Sequence, residues 1–183
     1  MSATKPPPAE PLVEVILEDD RWQVAGIEAL ADRAARAVLA QLGLAPRGFE
    51  IALLAASDAR VAALNADFRG KPRPTNVLSW PSAERAAAAE GGVPALPVPG
   101  GDLPESLGDI ALAWETCARE AVEAGRPLAD HLTHLVVHAS LHLFGYDHAR
   151  DGDATLMEDL ERKILARLGV ADPYGEEAGE RIA

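Results

Sequence analysis

Four of the five histidines in this 183-residue chain, His131, His134, His138 and His142, fall in one short stretch, and the fifth, His148, follows across Gly145. Apolar residues from about Leu128 to Phe144 predict a helix that Gly145 breaks. At about 100° per residue, His142 lies roughly 40° from His138 on that helix, His134 roughly 40° to the other side, and His131 between them. They form one stripe. A pair at i, i+4 sets two imidazoles on neighbouring turns, where both can grip one ion. The glycine lets the chain turn sharply, so that His148 returns as a third ligand. Any fold of this chain must bring that helix end and the following turn to a common point.

His138, His142 and His148 are therefore expected to bind one metal ion. Imidazole nitrogens with no thiolate nearby favour zinc, one per chain, although nickel or copper could occupy such a site in vitro. Three protein ligands leave a fourth position open, which marks a catalytic rather than a structural site. An open site of this kind lowers the pKa of water and polarises a carbonyl or phosphoryl oxygen. His131 reads as a packed or solvated residue. His134 stays open between a role behind a ligand, a substrate contact and a core position.

The spacing H-x3-H-x2-G-x2-H is also that of the metzincin proteases, in which a glutamate after the first histidine is the general base. Here that position is Ala139. An alanine accepts no proton, which argues against peptide hydrolysis.

The rest of the chain reads as alternating short strands and amphipathic helices. Val13 to Leu17, Phe49 to Ala55, Val77 to Trp80 and Leu107 to Leu112 predict strands. Helical spacing runs from Val24 to Leu42, from a cap at Ser57 to Gly70, from Ala113 to Ala124 and from about Asp153 to Leu168. Pro72 and Pro74 forbid continuation past Gly70. Residues 82–106, rich in Ala, Gly and Pro, show no sustained periodicity and read as an irregular, partly mobile insertion. The expected fold is α+β: a single domain over 12–174, with a roughly four-stranded mixed sheet packed by about five helices. Residues 1–11 are expected to be a disordered tail and 175–183 a flexible acidic one.

The formal net charge of −12 argues against tight nonspecific nucleic-acid binding, which needs clustered Lys and Arg. Much of the acid, however, lies in Glu14 to Asp20, Asp151 to Glu161 and Asp172 to Glu180. Between Phe68 and Trp80 the only charged residues are Arg69, Lys71 and Arg73. Cys117, the single cysteine, reads as a core residue. The first residues hold no apolar stretch suited to a signal peptide, and no 18-residue apolar run occurs anywhere, so a cytoplasmic protein with no membrane partner is expected.

HASLHLFGYDH (138–148) resembles the signature of the YbeY family of zinc-dependent endoribonucleases. LNADFRGKPRPTNVLSWP (64–81) is similar to the family's second segment, LGDI (107–110) to its third and ADPY (171–174) to its C-terminal end. The resemblance implies an α+β fold around a four-stranded sheet, zinc on His138, His142 and His148, and cleavage of single-stranded RNA. It further implies a part in maturing the 3′ end of small-subunit ribosomal RNA and in ribosome quality control. Small-subunit ribosomal proteins and an assembly GTPase are the implied partners, and no DNA is expected. Arg69 matches the family's arginine and would hold the RNA phosphate, as a guanidinium forks well onto phosphate. Lys71, Arg73 and His134 could extend that grip. Asp147 could orient a ligand imidazole or cap the turn. Ala139 stands where the family usually has glycine, Asn76 where it has aspartate and Trp80 where it has phenylalanine. Two rival readings remain: a metallohydrolase for a peptide or small phosphoester, and a non-catalytic ribosome-assembly module with a stabilising metal.

Overall fold

The computed structural model describes residues 10–175 of the chain. The tails expected over 1–11 and 175–183 lie outside the described residues, apart from Glu10, Pro11 and Gly175. Four strands form one mixed sheet: β1 (Val13–Leu17), β2 (Phe49–Ala56), β3 (Val77–Pro81) and β4 (Glu105–Ala113), in the order β1-β2-β4-β3. β1 and β4 both run parallel to β2, while β3 pairs antiparallel with β4 and forms an edge. Six helices complete the described residues: α1 (Arg21–Val24), α2 (Ile27–Gln41), α3 (Asp58–Arg69), α4 (Trp114–Glu123), α5 (Leu128–Leu143) and α6 (Asp151–Arg167).

The expected strands and helices are present, with two differences that have local causes. The helix expected from Val24 splits into α1 and α2, because Gly26 sits in the left-handed region at φ 69°. Val24 is 91% exposed, so its apolar side chain belongs to no buried stripe. The insertion ends at Pro104 rather than Ser106, since β4 begins at Glu105 and pairs with Phe49 at the start of a longer β2.

The two faces of the sheet carry unequal cores. On one, Ile51, Leu53, Ile110 and Leu112 pack with α2, α5 and α6; on the other, Leu78, Ala111 and Ala113 pack with Val61 of α3. From His131 to Leu141 every residue of α5 is buried, as expected of a helix enclosed on all sides. α3 begins at Ser57, whose hydroxyl accepts the Arg60 N–H as the cap reading requires. Cys117 is buried, as expected, and burial pushes its thiol pKa up.

Gly108 accounts for the glycine of LGDI. At φ 134°, a Cβ there would stand 2.1 Å from the Trp80 carbonyl oxygen. The insertion, irregular from Ser82 to Pro104, is pinned at its middle. Arg150 donates to the carbonyls of Ala87 and Ala88 at 3.0 and 3.1 Å, Gly91 N–H reaches Asp153, and Gly152 N–H reaches Glu90.

Candidate metal centre

α5 stops because the chain after Phe144 enters Gly145 at φ 93°. A side chain there would be strained, and a Cβ would also lie 2.7 Å from the Arg85 carbonyl carbon. The turn carries His148 back over the helix end, so its ring stands 5.3 Å from that of His138 and 5.0 Å from that of His142. One ligand nitrogen from each of the three histidines lies within 4.8 Å of the others, the only such metal-capable group among the described residues.

Hydrogen bonds fix two of the three tautomers. His142 Nδ1 lies 2.9 Å from the Tyr146 carbonyl oxygen, which can only accept, so Nδ1 carries the proton. His138 Nδ1 lies 2.6 Å from Glu161 Oε1. Burial opposes ionisation of Glu161, but hydrogen bonds from His134 and His138 outweigh it and hold the carboxyl well below the usual range. His138 Nδ1 is thus a donor as well. Both Nε2 lone pairs then point inward, 3.1 Å apart. Two tetrahedral ligands at zinc–nitrogen distances stand about 3.3 Å apart, so the pair fits one such ion. Burial, then the neighbouring His138 and His148, push the His142 pKa down to about 4, which keeps its imidazole in the neutral, ligand-competent form.

Glu161 has no expectation behind it in the sequence reading. It is fully buried on α6 and also accepts from His134 Nε2 at 3.1 Å and from the Tyr174 hydroxyl. A carboxylate behind a ligand histidine fixes its ring and raises its basicity. The signal was present: Glu161 interrupts the buried stripe of Met157, Ile164 and Leu165, where an apolar residue would be expected. His134, left open above between three roles, is buried behind the ligands and does not line the cleft.

A cleft of about 330 Å³ opens over the triplet, and its walls include Arg69, Ser79 and Arg85. Arg69 enters from the end of α3, with Nη2 3.4 Å from the Ser79 carbonyl oxygen. The start of the insertion flanks the cleft through Arg85 and Ala86. Lys71 and Arg73 are exposed on the turn after Gly70 and stand outside the cleft wall. Asp147 lines the cleft, and its Oδ1 accepts the backbone N–H of His148 at 2.7 Å, capping the turn.

Asn76 has its own partners. Its amide donates to Glu120 Oε2 at 3.0 Å, while His131 Nε2 lies 2.9 Å from the same oxygen. An amide can donate to that carboxylate where an ionised aspartate could not. This network lies at the start of β3 and accounts for His131, which is buried and paired.

The family model of the endoribonuclease YbeY matches residues 15–169. Proteins named endoribonuclease YbeY from Dinoroseobacter shibae and Ruegeria pomeroyi are each 57% identical to this chain, over 91% and 88% of it and 92% and 97% of their own lengths. One of the same name from Paracoccus denitrificans is 55% identical over 96% of this chain and 97% of its own. Among solved structures, a solution structure of a Thermotoga maritima protein aligns at TM-score 0.50 and 21% identity, over 92% of this chain and 99% of that one, and shares its fold. Because the family model covers nearly the whole sheet, all six helices and every candidate ligand, the chain belongs to the endoribonuclease YbeY family.

Proposed function

We propose that this protein is a zinc-dependent endoribonuclease of the cytoplasm. It cleaves single-stranded RNA in the maturation of the 3′ end of small-subunit ribosomal RNA and in ribosome quality control. Its relatives carry the name endoribonuclease. The observation that carries the reading for this chain is the convergence of Arg69 and the three histidines on one cleft. A cation-binding triplet beside a guanidinium suits a substrate bearing negative charge on a transferable phosphoryl group.

His138, His142 and His148 would hold the metal, which supplies Lewis acidity toward a phosphoryl oxygen and a lowered pKa for water. Arg69 would fork onto the non-bridging oxygens of the scissile phosphate and offset the charge that develops there. Glu161 would keep His138 oriented with Nε2 free. Lys71 and Arg73, exposed one turn away, would attract the flanking phosphates without touching the reacting group. Small-subunit ribosomal proteins and an assembly GTPase are the proposed protein partners.

The test is metal analysis and cleavage of a single-stranded ribosomal RNA fragment by wild type, His138→Ala and Arg69→Ala. Wild type should hold one zinc per chain and cleave. His138→Ala should lose metal and activity together. Arg69→Ala should keep its zinc but lose about 100-fold in kcat/KM, the scale of removing one donor to developing charge. A wild-type protein that binds zinc and cleaves no RNA would refute the reading. Products ending in 2′,3′-cyclic phosphate would identify the RNA 2′-hydroxyl as the attacking group, and products without it would identify water.

A further inference from the structure

Phe68 is 67% exposed on the last turn of α3, the one aromatic ring among the exposed large apolar side chains described. It is not loose. Its ring meets that of Trp80 edge to face, with centroids 5.5 Å apart and planes at 62°. Trp80 in turn packs on the small core of Leu78, Val61 and Ala113, so one side of the Phe68 ring has a rigid backing while much of its surface faces solvent. Two positions define what could cover that surface. Arg69, the next residue, lines the metal cleft and reaches the carbonyl of Ser79 on edge strand β3. Lys71 and Arg73, also exposed, are the only other charged residues up to Trp80, so this segment is basic on a chain of net charge −12. Asp67 and Asp109, the latter opposite Trp80 in the sheet, are exposed acids beside these three cations, so the surface pairs an apolar aromatic face with a net positive charge, which suits an anionic chain carrying flat aromatic groups.

We propose that Phe68, backed by Trp80, is the platform on which one unpaired base of the RNA stacks while an adjoining phosphate lies against Arg69. The proposal rests on the RNA reading above and deepens it. Consecutive residues on a helix point about 100° apart, so ring and guanidinium can meet a strand passing over the β3 edge from two directions. A base within a duplex has both faces covered by its neighbours and offers no free face to such a ring, whereas an unpaired base does. Phe68 thus supplies a physical reason for preferring single strands, independent of the reacting groups. Stacking accepts any base, so the platform gives strand selectivity rather than sequence readout.

The experiment compares the zinc-loaded full chain with Phe68→Leu, which keeps an apolar side chain without a π face, and with Phe68→Trp, which restores one. The probe is a fluorescein-labelled single-stranded oligoadenylate. A second strand of equal length carries abasic sites on either side of the cleaved bond. Phe68→Leu should raise Kd and KM about 5- to 150-fold, the range of one base–aromatic stack, with the loss falling on KM rather than on kcat. Phe68→Trp should recover most of that loss. On the abasic strand the gap between wild type and Phe68→Leu should close. A 2-aminopurine placed beside the cleaved bond should be quenched on binding to wild type and not on binding to Phe68→Leu. If wild type binds and cleaves oligoadenylate but Phe68→Leu does both within about twofold of it, the platform is overturned and the endoribonuclease reading stands. If wild type with bound zinc cleaves neither strand, the endoribonuclease reading itself fails, and the platform with it.

Discussion

Replacing Glu161 by glutamine separates the role of the metal ligands from the role of the group that holds them. Three donors converge on this buried carboxylate: His138 Nδ1, His134 Nε2 and the Tyr174 hydroxyl. Glutamine has nearly the same volume but offers one acceptor oxygen and an NH2 group. At least one of the three donors must then face another donor, unless it rotates away. If His138 turns, its Nε2 no longer faces the Nε2 of His142, 3.1 Å away, and the ion loses a preset pair. Partners of this kind typically contribute 10- to 100-fold to metal affinity, or about 1.4 to 2.7 kcal/mol. Glu161→Gln is therefore expected to weaken zinc binding by that factor while the ligand set stays intact. The assay is competition against a chromophoric chelator at pH 7.5, with circular dichroism to verify that the variant is folded. Tyr174→Phe, which removes one donor but keeps the charge, should weaken binding less than Glu161→Gln. A folded Glu161→Gln protein that binds zinc within about twofold of wild type would refute the account, because His138 would then need no carboxylate behind it.

Other predictions concern stability. Gly145→Ala places a Cβ at φ 93° against the Arg85 backbone, and a cost of about 2 kcal/mol would lower Tm by roughly 4–8 °C in a calorimetric scan. An unchanged Tm would mean that the turn has room to relax. Asn76→Asp sets a second carboxylate beside Glu120 Oε2, where the amide now donates at 3.0 Å, so one of the two should have a raised folded-state pKa. Stability tied to a raised pKa is present at low pH and lost as pH climbs through it, so this variant should fall behind wild type between pH 5 and 8 in urea titrations. In the wild type, burial acts against the charge of Asp32, but Arg36 and the Leu12 N–H outweigh it and lower its pKa. Glu120 is likewise lowered against burial by His131 and Asn76. Stability from lowered carboxyls is present above their ordinary values near 4 and lost as pH falls through the folded ones, so Tm should decline between about pH 4 and 2. A flat Tm over that range would show that neither carboxylate contributes.

The parts of the molecule that were legible in the sequence are those whose cause is local. β1 and β3 follow from short apolar runs between stops, and the histidine triplet from a helical repeat and one glycine. Arg69 is singled out by the family resemblance of segment 64–81 rather than by any local cause, and it lines the cleft. What stayed hidden depends on partners far away in sequence. Glu161 meets His138 across 23 residues, and its only local trace is a charge in an apolar stripe. Lys71 and Arg73 share the charge of Arg69, but they follow the left-handed turn at Gly70, with Pro72 between them, and stand outside the cleft wall. For His134 the stripe gave the right helix face without saying whether that face meets solvent, and α6 with Tyr174 closes it off.

Most of the hold on residues 87–91 takes backbone rather than side chains. Arg150 binds the carbonyl oxygens of Ala87 and Ala88, which any residue would provide, and Asp153 takes the backbone N–H of Gly91. Part of the information about the shape of this segment is therefore stored on α6 and the residue before it, and the segment itself adds Glu90, which takes the Gly152 N–H. Exchanges among the alanines of 86–89 should pass almost unnoticed, while a change at Arg150 or Asp153 would release a stretch it does not belong to. A region of low sequence complexity can thus keep one wall of the cleft in place while its own residues drift.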